Sequence, residues 1–368
     1  MKVLHIVGDS KFGGGSVIIS QIVNSQKLMG YDVSVLTTDS EFIDHLHSNG
    51  IKTLEVDCIW RSYNLFKDLI GVYRLYFFLK KNNFDVVHTH TTKAGFIGRL
   101  GAKLSNSKNI FHTVHGFPFS EDSSYIKVKV FSFLEFLLAK FTDKLIFVSD
   151  YHKAWASDLG ISSDETKTIS IRNGVDYPLI NIDNVDKLTD EFGTDLKMAF
   201  VGRIVKEKGV FELLTAFDVL AKEFSNLKLF FVGTGPDFDL LQEKASNLPD
   251  VHFTGFVTNA ADYLQYSDVF VLPSYREGLS ISALEAQSVG TASVLSDVGG
   301  NVEISSNGKS ALIFRLHDIE DLVLKLRMLL SSESKRKSLS DTSVINFKNN
   351  FTNEKMINGY RKLYENIL

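Results

Sequence analysis

Short apolar, β-branched runs alternate with stretches of helical spacing almost from end to end. In the first half the runs are KVLHIVG, DVSVLTT, DVVHTHT, NIFHTVH, KLIFVSD and TISIRNG. In the second they are KMAFVGR, LKLFFVG, VHFTGF, DVFVLPS, ASVLSD and ALIFRL. Between them, segments such as 209–224 and 318–330 carry apolar side chains at helical intervals. Continuous apolar strands separated by helices predict parallel sheets covered on both faces. Two successive sets predict an α/β chain of two doubly wound, Rossmann-like domains.

The join falls in NGVDYPLINIDNVDKLTDEFGTDLK, a polar, turn-rich stretch between two strand runs. The boundaries expected are 1–172 for the first domain, 173–195 for the linker, 196–345 for the second domain and 346–368 for a closing helix. In that helix Met356, Tyr360, Leu363, Tyr364 and Ile367 share one apolar face. A chain of 368 residues is long enough for two cores. Doubly wound domains bind ligands beyond the carboxyl ends of their strands, so two facing domains predict a central cleft between those ends.

Composition narrows the classes. Cys58 is the only cysteine, which excludes an intrachain disulfide and suits a reducing compartment. The opening MKVLHIVGDS lacks the features of a signal peptide, and no uncharged apolar stretch is long enough to span a bilayer. A cytoplasmic protein is expected. Residues 1–172 carry a net charge of +3 and residues 173–368 one of −7, giving −4 overall. That balance does not suit a nucleic-acid partner, which calls for a far more basic chain.

Three constellations carry candidate chemistry. In VGDSKFGGGS, residues 7–16, a strand ends in a glycine run that leads into a helix. Gly14 and Gly15 would let a ligand approach the backbone, and the helix start would attract an anion. FVGRIVKEKGV, residues 200–210, repeats that design with Arg203 and Lys208 in the loop, two cations suited to a diphosphate. REGLSISALEAQSVG, residues 276–290, places Glu277 and Glu285 in an apolar context, with backbone donors expected near Leu279–Ile281. For each, the plain alternative is a solvated loop or a wet helix face. A hydrolytic acid/base pair does not fit. Eight helical residues span about 12 Å, whereas such carboxylates lie about 5–9.5 Å apart.

EGLS followed by a glutamate at the eighth position, with GRIVKEKG upstream and RNGVD at the join, resembles the family-4 retaining glycosyltransferases of GT-B fold. The resemblance spans nearly the whole chain and implies that the closing helix packs toward the first domain. HTHTTKAGFIGRLGAKLSNSKNIFHTVHGFPF makes it similar to bacterial members that extend polyprenyl-diphosphate-linked saccharides in capsule, O-antigen or glycan assembly. The resemblance implies that Arg203 and Lys208 hold the diphosphate of a nucleotide sugar, with uridine as the base. It implies that Glu277 binds hydroxyls of the transferred sugar while Gly278, Leu279 and Ser280 offer backbone donors. Glu285 would accept the ribose hydroxyls, Phe256 and Val257 in TGFV would meet the base, and Gly14 and Gly15 would line the phosphate and acceptor region. His115, in TVHGFPF, matches a histidine that faces the reacting sugar. The catalytic set implied is thus Glu277, His115, Arg203 and Lys208, with retention of configuration, a nucleotide-diphosphate sugar as donor and no cofactor required.

No metal site is evident from the sequence. Asp237 and Asp239 have D-x-D spacing but sit at a helix start, where acids are ordinary, and His88 and His90 share a strand face without an obvious third ligand. A lipid-linked acceptor requires contact with an anionic membrane surface. Residues 61–84 and 125–144 mix bulky apolar residues with Lys and Arg in the manner of interfacial helices. Peripheral attachment to the cytoplasmic face of the inner membrane is therefore expected. Transfer to a soluble acceptor, or a non-catalytic GT-B partner protein, are the alternative readings.

Overall fold

The structure, a computed structural model, describes residues 1–8, 13–60, 64–120, 122–193 and 195–367. The chain divides into two compact units, residues 1–173 with 353–368, and residues 174–352.

In the first unit the strands are β1 (Lys2–Gly8), β2 (Asp32–Thr37), β3 (Lys52–Leu54), β4 (Val86–His90), β5 (Asn109–Val114), β6 (Lys144–Phe147) and β7 (Thr168–Ser170). The helices α1 (Gly14–Leu28), α2 (Ser40–Ser48), α3 (Leu65–Asn82), α4 (Thr92–Leu104), α5 (Tyr125–Ala139) and α6 (Asp150–Asp158) connect them. The strands pair in parallel in the order β3-β2-β1-β4-β5-β6-β7. All of β4 and most of β1 are buried, as expected for strands covered on both faces.

The second unit holds α7 (Ile182–Phe192), β8 (Leu196–Val201), α8 (Val210–Ala221), β9 (Leu227–Val232), α9 (Phe238–Lys244), β10 (Val251–Gly255), α10 (Ala260–Tyr266) and β11 (Val269–Leu272). It continues through α11 (Ile281–Val289), β12 (Ala292–Ser296), α12 (Gly300–Ser305), β13 (Leu312–Phe314), α13 (Ile319–Leu330) and α14 (Glu333–Asn350). Its parallel order is β10-β9-β8-β11-β12-β13. In both sheets the order reverses beside the first strand, between β1 and β4 and between β8 and β11. Such switch points are where doubly wound sheets bind ligands.

Two segments differ from the sequence reading. The stretch expected to be a linker contains α7, capped by the Asn181 side chain and held on its inner side by Leu188. The closing region is two helices. The long, mostly polar α14 stays with the second unit, and α15 (Asn353–Glu365) completes the first. There Met356, Tyr360, Leu363 and Tyr364 are buried, and α15 packs against α1.

Candidate functional site

The second unit gathers its chemistry on the loops that follow β8 and β11. Gly209 ends the first loop at φ 69°, and a Cβ there would lie 2.0 Å from the Pro273 carbonyl oxygen in the second. Only glycine permits that approach. The Tyr275 N–H donates to the Glu207 carbonyl at 2.9 Å, and the Tyr275 hydroxyl donates to Glu212. Stitched in this way, the loops bring Lys208 Nζ to 2.6 Å from Glu277 Oε1. The Glu277 side chain is only 9% exposed and that of Lys208 29%, so the pair is poorly screened. Arg203, one turn earlier in the same loop, is exposed and forms no ion pair or side-chain hydrogen bond among the described residues. One cation is thus committed to a carboxylate and a second is left open.

The segment after Glu277 tightens into α11. Ser280 is its N-cap, with Oγ accepting from Ala283 N at 3.4 Å, so the open first-turn donors are those of Ile281 and Ser282. The range expected from the sequence, Leu279–Ile281, overlaps these donors at Ile281. Gly278 instead uses its carbonyl to accept from Gly300 N at 3.0 Å, and a Cβ on Gly300 would sit 2.2 Å from that same oxygen. Glu285 follows one turn on, half-buried, its carboxylate without a hydrogen-bonding or charged side-chain partner among the described residues. Burial pushes its carboxyl up to about 7. Phe256 is 74% exposed on the loop after β10, beside half-buried Val257. Within this unit Arg203, Lys208, Glu277, Gly278, Ser280 and Glu285 therefore lie on the β8 and β11 loops and the start of α11. Phe256 and Val257 follow the edge strand β10, two strands from β8.

The acidic D-x-D has a structural role at its first position. Asp237 accepts from the Lys206 backbone N–H at 2.7 Å and ties the β9 loop to the β8 loop.

The remaining predicted residues belong to the first unit. Gly14 and Gly15 open α1, and residues 9–12 of the glycine-rich stretch lie outside the described residues. His115 follows β5 and lines a small cavity with Thr91, Thr92, His112, Gly116 and Glu135. Burial lowers its imidazole to about 4.

Here the structure adds residues the sequence reading missed. The third imidazole beside His88 and His90 is His5, from β1. Nitrogens of the three rings lie within 4.8 Å of one another, and all three side chains are fully buried. That corrects the expectation that no third ligand was at hand. The ring nitrogens are nevertheless committed to other partners. His5 meets Gln26 Oε1 at 2.8 Å and His90 at 2.9 Å; His90 meets His115 at 3.1 Å; His88 meets the Tyr364 hydroxyl at 2.6 Å and Thr113 Oγ1 at 2.7 Å. A metal would have to displace these hydrogen bonds, so the cluster does not fit a resident ion. Strand pairing could have indicated His5, since it stands opposite His88 in the β1–β4 register.

Comparison with known proteins follows the same division. The family described as Glycosyltransferase Family 4 matches residues 12–177, and Glycosyl transferases group 1 matches residues 182–343. The O-antigen biosynthesis glycosyltransferase WbnH of Escherichia coli is 30% identical over 307 residues, covering 82% of this chain and 83% of that protein. The Escherichia coli UDP-Gal:alpha-D-GlcNAc-diphosphoundecaprenol alpha-1,3-galactosyltransferase is 28% identical over 343 residues, covering 90% and 85%. The fold matches Anabaena Alr3699/HepE, crystallised with UDP-glucose, at a TM-score of 0.84 and 17% identity over the full length of both chains. With an ion-paired carboxylate and an open cation at the switch point of its second sheet, the chain belongs to the family-4, group-1 glycosyltransferases of GT-B fold.

Proposed function

We propose that this glycosyltransferase moves a sugar, with retention of anomeric configuration and without a metal, from a UDP-sugar to a polyprenyl-diphosphate-linked saccharide in surface-polysaccharide or glycan assembly. The Lys208–Glu277 pair beside open Arg203 carries the reading. A diphosphate seated on Arg203, Lys208 and the α11 first-turn donors meets fixed positive charge that strengthens as the leaving group gains negative charge. Two side-chain cations in one loop supply what a metal would otherwise provide. Glu277, ion-paired with Lys208 at 2.6 Å, accepts hydrogen bonds from hydroxyls of the transferred sugar. Glu285, burdened by a buried carboxylate, gains partners when ribose hydroxyls donate to it, and Phe256 offers a face for the base. As the bond to the diphosphate lengthens, the anomeric carbon becomes cationic and the acceptor hydroxyl attacks from the face the diphosphate leaves. The hydroxyl proton passes to the departing phosphate oxygen. His115 in the first unit serves the same transfer step, and Gly14 and Gly15 line the approach of phosphates and acceptor.

The acceptor assignment is supported by the undecaprenol-linked substrate in the name of the galactosyltransferase relative and by two outward helix faces. On α5 the buried side carries Ser132 and Glu135, the latter paired with fully buried Arg99 at 2.8 Å. Its outer side shows Tyr125, Ile126, Val130 and Phe133, each more than half exposed. α3 likewise exposes Leu65, Phe66, Leu69, Tyr73 and Phe77, and both helices pack on α4. Helices that merely cover a sheet turn apolar residues inward. Here α3 buries Val72, Leu75 and Leu79 and α5 buries Leu138 and Ala139, yet both also turn large apolar residues outward beside Lys67, Lys80, Lys127, Lys129 and Lys140, as suits an anionic bilayer surface. No helix among the described residues is long and apolar enough to cross a membrane. Residues 61–63 of the first segment lie outside the described residues.

The deciding experiment is a thermal-shift panel of nucleotide sugars in the presence of a chelator, repeated with Glu277→Ala and Glu285→Ala. One stabilising UDP-sugar whose effect both substitutions weaken is expected. No response to any nucleotide or nucleotide sugar would remove the donor-site assignment.

A further inference from the structure

Gln26, His5, His90 and His115 form one continuous hydrogen-bonded chain, with links of 2.8, 2.9 and 3.1 Å. It runs across the sheet, from α1 through β1 and β4 to the loop after β5. A neutral imidazole has one N–H and one lone pair, so a ring that accepts from one neighbour must donate to the other. All links therefore point the same way.

The Gln26 end sets the direction. With the amide turned so that Oε1 faces His5, Gln26 accepts and His5 donates from Nε2. His5 Nδ1 then accepts from His90 Nε2–H, and His90 Nδ1 accepts from His115 Nε2–H. The lone pair is left on His115 Nδ1, which makes no hydrogen bond among the described residues, in a ring that lines the small cavity.

The chain is built to stay neutral. His88 stacks against it, its centroid 4.3 Å from that of His90 and 4.9 Å from that of His5, while its own nitrogens are taken by Tyr364 and Thr113. A proton added to any ring would place unsolvated charge among imidazoles, and burial lowers His5 to about 4 and His90 well below its usual range. Immediately after His90 the backbone of Thr91 takes φ 61°, ψ 159°, a conformation foreign to a β-branched residue. Such strain marks a position the surroundings over-determine.

We propose that Gln26, His5 and His90 are positioning residues that hold His115 as a neutral imidazole with its proton on Nε2 and Nδ1 free to accept from a carbohydrate hydroxyl. The tautomer is a property of the chain itself; its use rests on the reading of His115 as a participant in transfer.

Long-range 1H–15N correlation on the full-length, histidine-labelled protein tests it, with each ring assigned by a single His→Gln substitution. Wild type is expected to show the Nε2–H pattern at His5, His90 and His115. Gln26→Met removes the terminal acceptor at similar volume. It is expected to let His115 populate both tautomers and to lower kcat about tenfold, with KM for the nucleotide sugar little changed. Gln26→Glu keeps an acceptor and should restore the wild-type pattern and most of kcat. A wild-type His115 protonated on Nδ1 overturns the proposal, and that spectrum needs no variant to fold. A fall in kcat with no change of tautomer also overturns it, since packing alone would then account for the loss. A change of tautomer at unchanged kcat leaves the chain standing and removes His115 from the transfer step.

Discussion

Lys208 Nζ and Glu277 Oε1 meet at 2.6 Å although they arrive from loops following non-consecutive strands, β8 and β11. The pair joins the cation assigned to the leaving diphosphate to the carboxylate assigned to the sugar. Lys208→Met and Glu277→Gln are each expected to lower kcat/KM by about 10²–10³-fold. The double variant should lose far less than the product of the two, because each single change already disables the pair. Steady-state kinetics of all four proteins gives the coupling, and strictly multiplicative losses would show that the residues act separately.

Glu285 gives the free protein a pH dependence. Its carboxyl is raised from 4.5 to about 7, so the folded state binds this proton more tightly than the unfolded chain. The associated stability is fully present below about pH 4.5 and is lost as the pH rises through about 7, at most about 3 kcal/mol. Glu285→Gln should flatten that part of a urea-unfolding series. Nucleotide binding should show the opposite slope, tightening from about pH 6 to about pH 8 in the wild type as the carboxylate forms, and staying level in the variant. Calorimetric titration in buffers of different ionisation enthalpy would reveal the proton released.

Gly209 tests how the loops are held together. Gly209→Ala combines a left-handed backbone with a Cβ 2.0 Å from the Pro273 oxygen, and neither contact partner is a flexible side-chain end. A loss of about 3 kcal/mol is expected, read as a fall in Tm, together with loss of protection by UDP-sugars. Unchanged ligand protection would mean that the Lys208–Glu277 pair forms without this approach.

The outward faces of α3 and α5 predict a separable phenotype. Phe66→Ser with Ile126→Ser removes two large side chains, 74% and 75% exposed, that make no use of the protein core. At about 1.5–3 kcal/mol for each side chain fully buried, vesicle partition should fall at least tenfold. Turnover of a water-soluble acceptor analogue should stay unchanged. Sedimentation with vesicles of mixed anionic and neutral lipid measures the first, and equal binding by both proteins would discard these faces as the contact.

Much of this was legible because strands buried on both faces read as unbroken apolar runs; VFVL and ASVLS show this in β11 and β12. The loops after β8 and β11 stood out too, since charged residues inside such runs are conspicuous. What was hidden lacked a local signal. α14 is polar on most sides and buries only Leu339, Ser343 and Phe347, so it has no broad apolar stripe. Ile182, Val185, Leu188 and Phe192 of α7 do have helical spacing, but within a stretch dominated by polar residues. β3 has three residues. His5 looked like one more core residue in KVLHIVG, because its meaning depends on register with His88 and on Gln26 from the following helix. Parallel pairing is a long-range property that spacing along one strand does not encode.

The Tyr364–His88 hydrogen bond joins residues separated by 276 positions, across a second unit of residues 174–352. During synthesis, β1 to β7 therefore emerge and pair while one wall of their histidine cluster does not yet exist. At about 5–20 residues per second the wait for α15 lasts roughly ten to forty seconds. Until then His88 Nδ1 lacks its Tyr364 partner and is open to water. The first-made unit of this chain is the last to be finished, because its histidine cluster closes only after residues 174–352 have been synthesised.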